Sequence, residues 1–377
     1  MSATEQTPPA TTTHGPQRIS RIGLPWWSIA FPLLAMVAVP VGLAKLGTLG
    51  TIAAAVILIG SVLAAVHHAE VVAHKVGEPF GTLVLAVAVT VIEVSLIVSL
   101  MLSGAGDAST LARDTVFAAI MIILNGIVGI CLLAGGVEFR EQSFTLSGVS
   151  AALNVLVAMA VLTLVLPNYV ESAPGPVYAP SQLVFVAIVS LILYGTFVLV
   201  QTVRHRSYFL PEGEGHGEED HADAPSAQTA WIALGVLLVA LVGVVLLAKG
   251  LAATVEKAVL DAGLPLAVVG VVIAALVLAP EGVAAFRAAR RDRLQTSLNL
   301  ALGSALASIG LTIPTVAVVS LLLGLPLTLG IGAKSLTLLF LSLISITLSL
   351  GTGRTTILGG VVHLVIFAVY LFVTVVP

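Results

Sequence analysis

The sequence predicts an all-α integral membrane protein with about eleven transmembrane helices: one leading helix, then two inverted five-helix repeats. Three observations lead there. The chain has 377 residues, is 58% hydrophobic and only 9% charged, and has a mean hydropathy of +1.12. No soluble domain of this size has such a composition. The apolar residues form runs of about 20, the length that crosses a hydrocarbon core, without the period-2 alternation of a β-barrel. The third observation is a weak internal similarity between spans five apart.

The elements follow in order. Residues 1–25 read as a disordered cytoplasmic tail, because Met1 to Ile22 is rich in Thr, Pro and Gln and holds no apolar stretch that would serve as a signal peptide. The leading helix covers 26–45. The first repeat covers 46–203, with spans near 49–66, 82–103, 115–135, 147–167 and 181–202. The second of the eleven spans is expected to continue as a helix through His67–Val76, which lacks Gly and Pro. An acidic loop, 204–227, follows. The second repeat covers 228–377, with spans near 229–249, 264–286, 296–323, 329–349 and 355–376.

Charge sets the expected orientation. With the N-terminus inside, the inner loops hold Arg18, Arg21, Lys75, Arg140, Arg204, Arg206, Arg287, Arg290, Arg291, Arg293 and Arg354. The outer loops hold only Lys45, Arg113, Lys249, Lys257 and Lys334. A cytoplasmic N-terminus and an outer C-terminus are therefore expected.

Two carboxylates lie inside apolar runs: Glu93 within LVLAVAVTVIEVSLIVSLML and Glu281 within LPLAVVGVVIAALVLAPEGVAAF. A charge at the bilayer centre costs roughly 2.5–3.5 kcal/mol on insertion scales, which makes intramembrane acids functional candidates. They lie in the third and eighth spans, and an odd offset reverses the direction of crossing. Gly77-Glu78-Pro79 precedes the first and Gly263-Leu264-Pro265 the second. This is the pattern of inverted repeats, which bind at the membrane midplane. Like charges ~5 Å apart repel by roughly 3 kcal/mol at an effective dielectric of ~20. Protons relieve that repulsion, and so does a cation held between the two groups. Protons and cation therefore compete for the same oxygens, and a cation/proton antiporter is the reading that follows. Oxygen-only ligands suit a hard cation such as Ca²⁺. Glu93 and Glu281 are the expected ligands of such a cation.

Neutral oxygens are available nearby. Thr90 lies three residues before Glu93. The fourth span offers Asn125 beside Gly126. The ninth span holds Ser297, Asn299, Ser304, Ser308 and Thr312, with Ser304 and Ser308 sharing a face. Small residues of this kind also serve close helix packing. Pro280 and Gly282 bracket Glu281, which suggests an opened helix with free carbonyls. Glu70, His74 and Glu78 are candidates for an entry or proton path. His67, Glu70 and His74 share a helical face and give a remote alternative, a membrane-embedded metalloenzyme. The lone Cys131 excludes an intrachain disulfide. No phosphate loop, nucleotide fingerprint or nucleophile elbow occurs, so no cofactor is expected. Inorganic cations, protons and the lipid bilayer are the expected partners, and nucleic acid is not.

The stretch His68 to Gly81, running on to Glu93, resembles the first α-repeat of bacterial calcium/proton antiporters of the ChaA type, within the calcium/cation antiporter superfamily. Ala279-Pro280-Glu281-Gly282 and Gly303 to Pro314 resemble the second, and Gly353 to His363 resembles the same group near its C-terminus. The resemblance implies that Glu93 and Glu281 are the central acidic pair and that the loop after the sixth span is the family's acidic cytoplasmic segment. It also implies Ca²⁺ export from a bacterial inner membrane in exchange for protons, with Na⁺ or K⁺ exchange in this branch. Departures exist. Thr90-Val91-Ile92 stands where the wider pattern has Gly-Asn-Ala, and Ala305 and Ala307 replace a Ser and a Gln. Fewer side-chain oxygens then surround the site than the six to eight that Ca²⁺ prefers. Na⁺/H⁺ or K⁺/H⁺ exchange is thus the alternative.

Overall fold

A computed structural model describes residues 23–77, 80–102, 108–210 and 225–376. Eleven helices are found among them when short π- and 3₁₀-segments are counted with the helices they continue. These are α1 (Trp26–Val41), α2 (Gly47–Val76), α3 (Phe80–Met101), α4 (Leu111–Phe139), α5 (Leu146–Asn168), α6 (Pro180–Arg204), α7 (Ala227–Asp261), α8 (Ala267–Ala289), α9 (Leu294–Leu323), α10 (Ala333–Leu350) and α11 (Ile357–Val375). Ten are long and apolar enough to cross a membrane, and α1, with 16 residues, is shorter. The chain is an all-α, multi-pass membrane protein. Most of the expected tail, most of the expected acidic loop (211–224) and Glu78 lie outside the described residues.

Helix ends follow local chemistry. Gly42 takes the left-handed conformation (φ 66°) and its N–H bonds back to Ala38 and Val39, which ends α1 before the expected residue 45. The helix of α2 runs 30 residues without a break, because nothing from His67 to Val76 interrupts it. It stops at Gly77, whose φ of 75° is costly for any residue with a Cβ.

The described connections gather on two faces. On the first face, the α4–α5 connection pairs with the α10–α11 connection as a two-residue antiparallel ladder, Gln142 opposite Thr355. Gln142 Nε2 also donates to Ala289 O (3.0 Å) and Asp292 Oδ1 (2.9 Å) at the end of α8. On the second face, Arg113 donates to Gly330 O (3.0 Å), and the backbone N–H groups of Thr328 and Gly330 donate to Ser109 O and Pro176 O.

The apolar interior has separate parts. One cluster joins α4, α5, α6, α9, α10 and α11 with one side of α8. A second joins α2, α3 and α7 with the other side of α8, and a third lies among α1, α2 and α7. The acid-bearing helix α8 therefore stands at the seam between the first two clusters, and α3, which carries the other acid, lies in the second.

Candidate functional site

Helix α3 carries one carboxylate among apolar side chains, and the helix packing covers it: Glu93 is only 3% exposed. Its partners come from the other half of the chain. Ser308 Oγ donates to Glu93 Oε1 (2.8 Å) and lies 3.1 Å from Oε2, while Thr312 Oγ1 donates to Oε2 (2.8 Å). Both hydroxyls lie in the π-segment Ser308–Thr312 of α9. A π-turn rotates the residues beyond it relative to a regular α-helix and is common at functional sites. Gly310 allows the close approach: a Cβ there would meet Tyr194 Cβ of α6 at 2.6 Å. Thr90 is buried one turn before Glu93, and its hydroxyl donates to Ala86 O (2.7 Å).

Helix α8 carries the second carboxylate. The sequence suggests an opened helix at Pro280. The structure corrects this, since α8 continues unbroken from Ala267 to Ala289. Proline lacks only its own N–H, so one carbonyl a turn earlier loses its donor while the helix geometry persists. Glu281 is half-buried, and its Oε2 is shielded and has no hydrogen-bond partner among the described residues.

Glu93 and Glu281 line one cavity of about 740 Å³ with Thr90, Ser304 and Ser308. At about 30 Å³ per water molecule, that volume holds on the order of two dozen waters, so a cation can arrive hydrated. The cavity reaches the first face, where Arg206, Phe209, Arg293, Thr296 and Asn299 complete its lining. Asn299 Nδ2 donates to Phe209 O (2.6 Å), and Gln295 bridges Asn299 to the N–H of Thr145. These bonds fix the segment after α6 across the cavity's edge.

Other candidates lie elsewhere. Asn125, in the π-segment Ile122–Ile127 of α4, is fully buried and does not line the cavity. It donates to Ser342 Oγ (2.8 Å), and its Oδ1 lies 3.0 Å from His363 Nδ1. His74 is exposed, and the His67 ring lies against Trp27 and His68, with centroids 5.5 and 5.6 Å away. Among the described residues no three His, Cys, Asp or Glu side chains form a metal-binding group, so His67, Glu70 and His74 do not converge. Thr312 is one polar residue among many by sequence. Its spacing of four from Ser308 is the signal that marks it as a partner of Glu93.

The sequence profile of the sodium/calcium exchanger proteins matches residues 46–203 and 232–376. The chain belongs to that family. An ionic transporter of Sinorhizobium fredii, y4hA, is 49% identical over 362 residues, 94% of this chain and 97% of its own length. The sodium-potassium/proton antiporter ChaA of Escherichia coli is 36% identical over 356 residues, 91% and 94%. Two solved structures of the Ca²⁺/H⁺ antiporter YfkE superpose with TM-scores of 0.70 and 0.65 at 15% and 14% identity. They cover 92% and 93% of this chain and 100% and 98% of their own. That likeness establishes the fold.

Proposed function

We propose that this family member is a bacterial inner-membrane antiporter that exchanges Ca²⁺ for H⁺ at Glu93 and Glu281, with its N-terminus cytoplasmic. One observation carries the reading. Carboxylates from two helices in opposite halves line one cavity large enough for a hydrated cation. Two carboxylates so placed hold protons, which remove the repulsion, or a cation, which offsets it.

The hydroxyls around Glu93 suit both states. A hydroxyl is one donor and two acceptor lone pairs. Ser308 and Thr312 donate to the ionised carboxylate, accept from the protonated one, and offer lone pairs to a cation seated against it. Ser304 and Thr90 add oxygens at the same wall. Glu281 has an oxygen with no hydrogen-bond partner among the described residues and supplies the open half of the site. Water in the cavity completes the six to eight ligands of Ca²⁺. The other body of the protein would move relative to α3 and α8, exposing the acids to one face and then the other. The separate apolar clusters on either side of α8 support this movement.

Glu70 would line the entry on the first face, and Glu78 and His74 would extend it. Asn125 would join the site only in a state in which it leaves Ser342 and His363. The acidic segment 204–227 would lie on the cytoplasmic side, where positive loop charge also concentrates.

The test is cation-dependent proton flux in everted membrane vesicles. Glu93→Gln should abolish it, since glutamine neither carries charge nor exchanges a proton. Full retention of flux would refute the assignment. A second reading keeps the fold and changes the ion to Na⁺ or K⁺. The likeness to the Escherichia coli sodium-potassium/proton antiporter, at 36% identity, favours it. Adding Ca²⁺, Na⁺ and K⁺ separately to the same vesicles separates the two.

A further inference from the structure

The two halves share a spacing outside the central pair. Glu70 is followed by Gly77 and Pro79, and Glu256 by Gly263 and Pro265, so Glu-x6-Gly-x-Pro occurs twice. The residues fall in equivalent places, at the ends of α2 and α7, five helices apart. The structure supports the match. Gly77 and Gly263 both have left-handed φ, 75° and 69°, and both bond back into the turn they terminate, Gly77 N–H to Ala73 O and Gly263 N–H to Leu260 O, each at 2.9 Å. Each glutamate lies seven residues before its glycine, about 10 Å along the axis at 1.5 Å per residue. Because α2 and α7 run in opposite directions, Glu70 lies towards the first face and Glu256 towards the second.

Their surroundings differ as the accessibility of the two faces differs. The cavity reaches the first face. There Glu70 is exposed. Towards the second face, Glu256 is only 6% exposed, and its Oε1 is buried without a hydrogen-bond partner among the described residues. Its neighbours Val255 and Val259 pack into the apolar cluster that contains Leu96 and Leu100 of α3. Those leucines follow Glu93 by one and two turns. The helix face beside Glu256 thus packs on the same apolar cluster as the α3 turns that follow the central acid. Leaving a carboxylate oxygen buried and unpaired is costly, and a purely structural site would place an apolar residue there.

We propose that Glu256 is the second-face counterpart of Glu70, a carboxylate that passes the cation to and from the central pair when the cavity opens to its own side. In the state described here Glu70 is wet and Glu256 is dry. In the opposite state the seam of α3 and α7 parts, Glu256 meets water, and Glu70 is covered. The proposal rests on the exchange function assigned to Glu93 and Glu281, and adds one acid per entrance to it.

The test uses the full chain in right-side-out and everted vesicles, with Ca²⁺ as the probe and the half-saturating concentration read on each face. Removing one entrance charge should raise that concentration about tenfold on the matching face, the scale of one charge acting across roughly 10 Å of partly screened medium. Glu256→Gln should thus act from the second face and leave the first unchanged, Glu70→Gln should do the reverse, and Glu256→Asp should restore most of the loss. A Glu256→Gln variant that shifts both faces equally, or neither, overturns the proposal. So does Glu256→Asp behaving like Glu256→Gln. Glu93→Gln is measured in parallel: its loss of exchange on both faces upholds the central pair whatever Glu256 does. Exchange retained in Glu93→Gln removes the function itself, and the entrance role with it.

Discussion

Replacing Thr312 with valine removes one hydroxyl at nearly constant volume and isolates what the α9 hydroxyls contribute. Thr312 Oγ1 donates to Glu93 Oε2 at 2.8 Å in a site that is 3% exposed. A hydrogen bond to a charged group contributes about 1.5–3 kcal/mol, and one to a neutral group about 0.5–1.5 kcal/mol. The cation-bound state needs Glu93 ionised, and the proton-bound state has it neutral. The substitution should therefore disfavour the cation-bound state by the difference, about 1–2 kcal/mol, which is roughly a five- to thirty-fold rise in half-saturating cation concentration at fixed pH. Ser308 still donates to Glu93 Oε1, so exchange should persist at saturating cation. The assay is exchange in everted vesicles as a function of cation concentration, with Thr315→Val beside it. Thr315 lies on the same helix, is exposed, and bonds only Leu311 O, so it should leave the concentration unchanged. Equal behaviour of the two variants, or no shift in Thr312→Val, would refute the reasoning.

Three further outcomes are expected. Gly310→Ala should lower the thermal stability of the purified protein by about 1–3 kcal/mol, because the new Cβ meets Tyr194 Cβ at 2.6 Å, and neither atom can swing aside. Gly235→Ala on α7, where a Cβ meets nothing within 4 Å, should not lower it. Asn125→Ala should cost about 1–3 kcal/mol in the same unfolding measurement, since it strands the buried His363 Nδ1. Glu281→Gln should abolish cation-driven proton flux as Glu93→Gln does, whereas an inactive Glu93→Gln beside a fully active Glu281→Gln would show that the acids do not act as a pair.

Much of the fold was legible because bilayer thickness sets span length. The helical continuation of α2 through His67–Val76 could be read from the absence of Gly and Pro, and α1 ended early only because Gly42 adopts a left-handed turn. The end of α7 was less legible: Ala252 to Asp261 reads as a polar loop with Lys257 and Asp261, yet it continues the helix to residue 261. Pro280 was the clearest misreading, because a missing N–H predicts a lost bond and not how much the helix yields. At the site, Glu93 and Glu281 announced themselves by the cost of a charge in an apolar run. Which neutral residues face them was not legible. The π-segment of α9 sets the register of Ser308 and Thr312 towards α3, and a similar segment in α4 turns Asn125 towards α10 and α11. Neither π-turn has a composition signature. The remaining cavity wall, Arg206, Phe209 and Asn299, is assembled by contacts between segments about 90 residues apart.

Competition between protons and cation for the same oxygens can be measured most directly as proton release on binding. Purified protein in weakly buffered detergent solution would be titrated with Ca²⁺ while the pH is recorded. The account predicts that Ca²⁺ binding expels protons, that the number released falls as the starting pH rises, and that the Glu93→Gln, Glu281→Gln double variant releases none. Ca²⁺ binding without proton release across that pH range, or unchanged release from the double variant, would contradict it.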